Sequence, residues 1–353
     1  MQQRSMLRFE STIKSEITKK NYTRDINLFK KYISVLDYDS ILSIPKEKIQ
    51  ELIEEYVMYL KKTKTPNSVK AYFWGVKHFF VMNRISMDWD IISKMFPETR
   101  KPTGDKAWTT EHIQKMLDNA KSKRNRALIH FLASTGCRIG ILDHDLMMKN
   151  LFDADSGCKG VVFYSGFKDE YYSFLTPEAV QSLEEYHTQR KHDGEKFNEN
   201  TPLFRLDYSI GSQPVIPLNS TTAKKITSRI IKNTGIQRKH EGFASEIQQN
   251  HGFRKRFNTI LKVADVNYNI AEKLMGHKNG LDGVYFKPTR EECFREFRKV
   301  ITELSIDDSV RLEEEIKRRD ERIKNLETNQ DRKIMNLEFI VSELAKRLET
   351  KLN

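Results

Sequence analysis

The sequence predicts a mainly α-helical protein with one small β-hairpin or sheet, a fold of the α+β class. Apolar residues recur at intervals of three and four through most of the chain, which is the spacing of one helix face. β-Favouring residues are concentrated at 161–176, on both sides of a Gly-Phe-Lys-Asp turn, and this pattern predicts a hairpin. Because 353 residues exceed one ordinary domain, we expect two domains and an appended segment.

Residues 1–98 are predicted to form a small helical domain. Three stretches, which begin at Tyr22, Ile49 and Val69, each combine an apolar stripe at helical spacing with lysines or arginines at other positions. Such basic helices suit the phosphate backbone of a nucleic acid, and a basic helical bundle of another purpose fits the same residues.

The second predicted domain spans residues 108–302. A linker at 99–107 precedes it, because prolines, a glycine and several charges interrupt the apolar periodicity in this region. A nearly all-apolar helix then ends at Gly136 and is expected to be buried on all sides. Pro177 opens the helix that follows the hairpin, and the next stretch, up to the helix predicted near Thr222, is expected to be rich in loops.

Residues 303–353 are predicted to form a coiled-coil tail. Ile316 and Ile323 are seven residues apart, further leucines and isoleucines continue at intervals of three and four, and charged residues surround them. The register slips near Gln330, as in a stutter. The alternative is a single amphipathic helix that packs on the body of the protein.

The net charge of +12 indicates a polyanionic partner, and its distribution is more informative than its size. The tail has 11 basic and 13 acidic side chains, so the excess positive charge lies on residues 1–302. Three scattered cysteines without CxxC spacing predict neither a disulfide framework nor a zinc site, and they indicate a reducing, cytoplasmic compartment. No apolar run reaches the roughly 20 residues that a membrane-spanning helix needs, and the N-terminus lacks the apolar block of a secretory signal.

The candidate catalytic residues lie between positions 136 and 285. An arginine follows the end of the buried helix in GCRIG, a lysine lies in the hairpin turn, and HGFR places a histidine and an arginine on one helix face. LMGH ends a helix at a glycine and presents a second histidine, and a tyrosine follows in DGVYF. In chain order these residues are Arg138, Lys168, His251, Arg254, His277 and Tyr285.

This order of residues closely resembles that of the tyrosine recombinases, the phage-integrase superfamily. The segment LMGHKNGLDGVYFKPTREE is most similar to the integrases of archaeal viruses and plasmids. The resemblance covers residues 10–300 and implies a DNA-binding, core-binding domain at 1–98 followed by a catalytic domain at 108–302. It implies a site-specific DNA recombinase that integrates or excises a mobile element through a 3′-phosphotyrosine intermediate, and it leaves the tail unexplained.

The two arginines can offset the negative charge of the phosphate in the implied reaction. A phosphodiester is anionic and repels nucleophiles, so its attack needs positive charge on the non-bridging oxygens. Arg138 and Arg254 can supply this charge through planar, often bidentate contacts.

The remaining four residues have the roles that the resemblance implies. Tyr285 would be the nucleophile, and because a phenol has an ordinary pKa of about 10, it would need His251 to assist the transfer of its proton. His277 would hydrogen-bond the phosphate, and Lys168 would protonate the departing 5′ oxygen. The phosphotyrosine bond would conserve the phosphodiester energy, so no ATP, metal ion or other cofactor is expected; the sequence also lacks a GxxxxGK[ST] loop.

The chain departs from the family pattern near the first arginine. An acidic residue often follows that arginine by three positions, where this chain has Ile141, which leaves Asp143 or Asp145 as substitutes. The interval from the GH histidine to the tyrosine is shorter than in many bacterial members, so cleavage in cis and in trans both stay open. Phe286 is expected in the core. Lys255, Arg256 and Lys287 are expected to contact phosphates without taking part in the chemistry.

Two other functions fit parts of the pattern. A type IB topoisomerase-like enzyme shares the nucleophile but typically has lysine where this chain has His251, and a catalytically silent DNA-binding protein would not need all six residues. The expected partners are double-stranded DNA attachment sites and further copies of the chain, in a synaptic tetramer, with an accessory DNA-bending protein as a further candidate and no membrane. We expect a cytoplasmic, nucleoid-associated protein, in the host cell if a virus encodes it.

Overall fold

The computed structural model divides into two compact units, Met1–Thr103 and Gly104–Asn353, called here the N-terminal and C-terminal units. None of the described helices is long and apolar enough to cross a membrane. The structure describes residues 3–99, 104–144, 146–211, 214–241, 244–277, 285–309, 311–312, 316, 319–320, 322–324, 326–335 and 337.

The N-terminal unit is helical throughout its described elements, as the apolar spacing predicts. Local signals set the helix starts: the Ser15 and Asp37 side chains accept hydrogen bonds from backbone N–H groups in the first turns that follow, and Pro66 occupies the first position of its helix. The buried faces meet in one core that is rich in aromatic side chains. The helices are α1 (Arg4–Glu10), α2 (Glu16–Tyr32), α3 (Tyr38–Leu42), α4 (Lys46–Thr63), α5 (Pro66–Met82) and α6 (Trp89–Met95).

The C-terminal unit combines helices with a small antiparallel sheet, so the predicted α+β class is confirmed. Two short 3-10 helices, Ile139–Asp143 and Met148–Asn150, connect its second helix to the sheet. In chain order the elements are α7 (Thr110–Asp118), α8 (Lys123–Thr135), β1 (Leu151–Asp153), β2 (Lys159–Phe163), β3 (Tyr171–Leu175), α9 (Pro177–His192), α10 (Ser220–Asn233), β4 (His240–Glu241), β5 (Ala244–Ser245), α11 (His251–Val263), α12 (Tyr268–Leu274), α13 (Arg290–Arg298) and α14 (Ile301–Leu304).

The buried helix and the hairpin lie where the sequence predicts them. Every residue of α8 from Ala127 to Thr135 is buried. Strands β2 and β3 pair antiparallel, with Val161 opposite Ser173, and the predicted turn connects them. The sequence pattern missed β1, which adds a third strand on the other edge of β2. Between α9 and α10 the described residues form turns and isolated bridges, as expected for a loop-rich stretch.

Helix α11 lies between the two apolar clusters of the C-terminal unit. Phe253 belongs to the cluster around α8 and the hairpin, whereas Phe257, one turn later, belongs to the cluster of α12 and α13. Both rings are fully buried. The polar residues of the same helix are therefore held at fixed positions by anchors on two sides, which is a rigid base for a site.

The packed body of the C-terminal unit extends beyond residue 302, where the predicted tail begins. Ser305 and Ile306 are buried, and Ile306 is part of the main core. The carboxylate of Glu178, at the start of α9, accepts the backbone N–H groups of Ile306 and Asp307 at 2.7 and 3.1 Å. A tail that is free of the body therefore starts no earlier than residue 308.

The described residues of the tail from 308 to 337 are helical. The apolar side chains at the predicted seam are about half exposed or more in the single chain, with Ile316 at 57% and Ile323 at 53%. The alternative of an amphipathic helix packed on the body is therefore wrong for these described side chains. The coiled coil stays a prediction, and its last residues lie outside the described part of the chain.

Candidate active site

Arg254 joins three segments that are distant in the sequence. Its side chain is only 3% exposed. The Nη1 group donates to the carbonyl oxygen of Gly136 at 2.9 Å, and Nη2 donates to the carbonyl oxygen of Met275 at 2.5 Å. The same Nη2 lies 2.7 Å from Nε2 of His277. The ends of α8 and α12 are thus tied to the first turn of α11 by one guanidinium group.

The end of α8 places Arg138 beside this group. Gly136 terminates the helix with a left-handed φ of 57°, and a Cβ at this position would lie 2.6 Å from the Phe257 side chain, so only glycine fits. Arg138 follows at the N-cap of the first 3-10 helix and is exposed. Burial, and next the nearby charge of Arg138, lower the pKa of Arg254 below its ordinary value.

His277 follows α12 in a turn that glycine makes. Gly276 has a φ of 61°, and a Cβ there would lie 2.6 Å from the Tyr171 ring. The N–H of His277 donates to the carbonyl oxygen of Glu272 at 3.0 Å, which is the six-to-one bond of a Schellman motif. On the side-chain level, His277 Nδ1 lies 2.6 Å from the Glu272 carboxylate.

His251 is the first residue of α11 and is exposed. At the start of this helix Gly252 packs against the indole of Trp108, whose Nε1 donates to the carbonyl oxygen of Gln249 at 2.8 Å. Partial burial, and then the positive charge of Arg254 and other basic neighbours, lower the pKa of His251. Its imidazole is therefore neutral at pH 7 and able to accept a proton.

The remaining two predicted residues are Lys168 and Tyr285, and neither contacts this cluster through a hydrogen bond or ion pair among the described residues. Lys168 is exposed in the β2–β3 turn and has no hydrogen bond or ion pair with another described residue. Tyr285 is 81% exposed, and residues 278–284, which connect it to His277, lie outside the described part of the chain. Arg138, His251, Arg254 and His277 form the observed cluster, and we call these four residues the basic cluster.

Three expectations concern neighbouring residues. Asp143 is one of the two candidates for orienting Arg138, but its carboxylate accepts the N–H and the hydroxyl of Ser220 at 2.8 and 2.6 Å; the other candidate, Asp145, lies outside the described residues. Arg256 is not a phosphate contact, because it is 4% exposed and donates to the carbonyl oxygens of Glu303 and Leu304.

The third expectation, a core position for Phe286, is wrong, because this side chain is 37% exposed.

Among the described residues, no group of three or more His, Cys, Asp and Glu side chains is placed to hold a metal ion.

Glu272 is the residue that sequence reasoning missed. Its side chain is 8% exposed, and its two carboxylate oxygens bind His277 and Lys262, the latter at 3.1 Å. Burial opposes its ionisation, but the hydrogen bonds from these two partners and the charge of Lys262 outweigh burial and lower its pKa below the ordinary value. The available signal was an acidic residue one helical turn before the LMGH turn.

Comparison with known families identifies this part of the chain. A family model described as the phage integrase family matches residues 106–281. The match includes the four residues of the basic cluster and the hairpin lysine. This segment belongs to the phage integrase family. Comparison with curated protein sequences gives no match.

Solved structures of phage-integrase-like recombinases have the same fold. A lambda integrase fragment, as a dimer bound to a COC′ core site, has a TM-score of 0.53 at 16% identity, covering 81% of this chain and 93% of that chain. The XerH site-specific recombinase bound to its difH substrate has a TM-score of 0.52 at 20% identity, covering 74% of each chain. A lambda integrase tetramer bound to a Holliday junction has a TM-score of 0.50 at 18% identity, covering 82% and 77%.

Substitution of Arg254 tests its role as the group that bridges two carbonyl oxygens. We expect Arg254→Lys and Arg254→Ala to slow DNA cleavage at least about 100-fold, because neither residue can hold two carbonyl oxygens and still present a planar charge. Both should also lower the free energy of unfolding by about 1–3 kcal/mol, because buried acceptors lose their donors. Single-turnover cleavage and urea unfolding are the measurements.

Arg256→Lys is the matched control, since Arg256 is a buried arginine on the same helix that also binds two carbonyl oxygens. It should lower stability with a much smaller loss of cleavage. If Arg256→Lys and Arg254→Lys lose cleavage equally at equal stability, the special role of Arg254 is refuted.

The lowered pKa of His251 predicts how cleavage depends on pH. A base works only when neutral, so the second-order rate of cleavage should fall as pH drops through the pKa of His251 in the free protein. Because that pKa is below the ordinary 6.5, the acid limb of the profile should have its midpoint below pH 6.5. The profile of His251→Gln should lack this limb, and a wild-type midpoint above 6.5 would contradict the assignment.

Proposed function

We propose that this protein is a site-specific DNA recombinase, an integrase that cleaves and rejoins DNA through a covalent link to Tyr285. The observation that carries the proposal is the convergence of two arginines and two histidines at the ends of three helices, in a segment of the phage integrase family. The two arginines, neither of which has a carboxylate partner among the described residues, concentrate positive potential at this point. That is what an attacked phosphodiester requires.

The proposed reaction uses the basic cluster to hold the scissile phosphate. Arg138, which is exposed, would approach one non-bridging oxygen, and Arg254 would fix the geometry of the site and add its charge. The phenol oxygen of Tyr285 then bonds to phosphorus as the bond from phosphorus to the 5′ oxygen breaks. His251 accepts the phenol proton, and Lys168 donates a proton to the 5′ oxygen.

Rejoining is the same chemistry in reverse, with a 5′ hydroxyl of the partner duplex as the attacking group. The phosphotyrosine bond keeps the energy of the phosphodiester, so the proposed cycle needs neither ATP nor a metal ion. The exposure of Tyr285 leaves its phenol accessible to DNA, and the choice between a cis and a trans active site belongs to the assembled complex.

Double-stranded attachment sites and further copies of the chain are the proposed partners. The structural neighbours include a lambda integrase dimer on a core site and a lambda integrase tetramer on a Holliday junction, which supports a tetramer here as well. An accessory DNA-bending protein, an archaeal mobile element as the source and a cytoplasmic, nucleoid-associated location remain expectations from the sequence.

The nucleophile is the first test of the proposal. Tyr285→Phe removes only the attacking oxygen, so it should abolish covalent adducts while DNA affinity stays almost unchanged. The assay incubates protein with a nicked duplex that carries the candidate attachment site, in EDTA and without ATP, and detects adducts by denaturing electrophoresis. Tyr268→Phe, another exposed tyrosine of the same unit, is the control and should form adducts normally. Adducts from Tyr285→Phe would identify another nucleophile, and a strict need for magnesium would indicate a metal-dependent nuclease.

The tail is proposed to hold protomers together, through the exposed apolar residues of its predicted seam. Truncation after Ser309 removes 11 basic and 10 acidic side chains, a nearly neutral segment, so single-site affinity and its salt dependence should hardly change. Self-association and strand exchange between two sites should fall, because recombination needs several protomers. Sedimentation, salt-titrated binding and a two-site recombination assay test this.

A point variant refines the test without shortening the chain. Ile323→Ser should reproduce the loss of self-association, whereas the neighbouring Lys324→Ser should not. Normal assembly and recombination by the truncated chain would refute the role of the tail. A shallower salt slope would show instead that the tail contacts DNA.

A further inference from the structure

Glu272 holds His277 by both its main chain and its side chain. The carbonyl oxygen of Glu272 accepts the N–H of His277 at 3.0 Å, across the left-handed turn at Gly276. The carboxylate lies 2.6 Å from Nδ1 of the same histidine. Lys262, from the preceding helix α11, binds the other carboxylate oxygen at 3.1 Å and so fixes the carboxylate plane. The imidazole therefore has a single supported orientation.

The partners of His277 determine where its proton lies. Arginine has only donors, so Nη2 of Arg254 donates and Nε2 of the imidazole accepts at 2.7 Å. The pKa of Glu272 is below its ordinary value, so its carboxylate is ionised and accepts. Nδ1 must then carry the proton. These hydrogen bonds therefore assign the proton to Nδ1, where it is directed to Glu272, and they direct the Nε2 lone pair to Arg254.

This arrangement constrains how His277 can contact a phosphate. A phosphate oxygen is an acceptor, and Nε2 can donate to it only when Nε2 carries a proton as well. The ring is then a cation beside the positive charges of Arg254 and Arg138. A buried carboxylate at Nδ1 is the group that stabilises such an imidazolium.

We propose that Glu272 is the positioning residue of the active site, which sets the orientation and tautomer of His277 and balances its charge when Nε2 donates to the scissile phosphate. This inference rests on the proposed function. It also gives the site a carboxylate, which neither Ile141, at the position where the family often has an acidic residue, nor Asp143 supplies. Ile141 is 1% exposed and apolar, and Asp143 is occupied with Ser220.

Local helix stability gives no reason for an acid at position 272. The residue lies in the last turn of α12, where the helix dipole and burial both oppose a negative charge. Lys262 alone is a weak reason, since its side chain is 44% exposed and screened by solvent. The contact with His277, together with that of Lys262, offsets the cost of the buried charge.

The charge of Glu272 is tested with Glu272→Gln, which keeps the shape and an acceptor oxygen. Cleavage of the nicked duplex in a single turnover should slow about tenfold or more, as expected for a supporting partner of an active-site histidine, with DNA affinity almost unchanged. Glu296→Gln is the matched control, because Glu296 accepts the backbone N–H of Asn267 at 2.8 Å and so supports the other end of α12. Its cleavage rate should match that of the wild type.

A double-mutant cycle separates positioning from general support of the fold. In a His277→Ala background, Glu272→Gln should slow cleavage no further if it acts through His277. Equal slowing in both backgrounds, or a wild-type rate for Glu272→Gln alone, would overturn the inference. Should Glu272→Gln not fold, ¹⁵N NMR of the wild-type chain decides: a proton on Nδ1 of His277 is expected, and a proton only on Nε2 would overturn the inference.

These outcomes are distinct from failure of the proposed function. If the wild-type protein forms no adduct with the nicked duplex, the recombinase proposal fails. If the wild type forms adducts that Tyr285→Phe lacks, and Glu272→Gln forms them at the wild-type rate, only the role of Glu272 is wrong.

Discussion

Arg254 is the contact on which the candidate site depends. Its guanidinium binds the carbonyl oxygens of Gly136 and Met275. The same rigid group therefore fixes the positions of the segment with Arg138 and the segment with His277. Phe253 and Phe257 fix the position of that group from two cores. An error in the packing of either core would therefore move every member of the basic cluster relative to the others.

The way in which the charge of Arg254 is satisfied matters as much as its position. Arg190, elsewhere in the same unit, is fully buried and forms an ion pair with Glu195, which Arg205 also binds at 2.7 Å. That charge is paired with a carboxylate inside the protein. Arg254 has no carboxylate partner among the described residues and is held by carbonyl dipoles, which solvate a cation without cancelling it. Its positive potential therefore remains available to an anion that approaches the cluster.

The sequence predicted what local pattern and motif order can determine. The stripes of the N-terminal helices, the fully buried α8 and the hairpin turn follow from residue spacing, and each is confirmed in the described residues. The proximity of Arg138, His251, Arg254 and His277 could be expected only through the family resemblance. The geometry that produces it, a side chain that reaches across 118 positions to Gly136, leaves no periodic signal.

The misses share a physical cause. Arg256 and Arg254 are both arginines of one basic helix, and only the fold shows that one reaches the carbonyl oxygens of residues 303 and 304 and the other the basic cluster. Glu272 reads as a solvated charge on a short helix until its neighbours are known. Likewise, the end of the packed body was placed too early, because Ile306 enters the core through a hydrogen-bonded contact with Glu178, 128 positions away.

That contact also determines how the tail transmits force. Glu178 lies at the start of α9, which packs along α8, and it holds the backbone where the tail leaves the body. If the tails of several protomers held an assembly together, a pulling force on one tail would act on α9 and on the core beneath it. Tyr285 precedes this anchor in the chain, and the buried side chains of Phe294 and Phe297 in α13 stand between them. The tail would thus be mechanically insulated from the tyrosine, so that an assembly under strain need not disturb the proposed nucleophile.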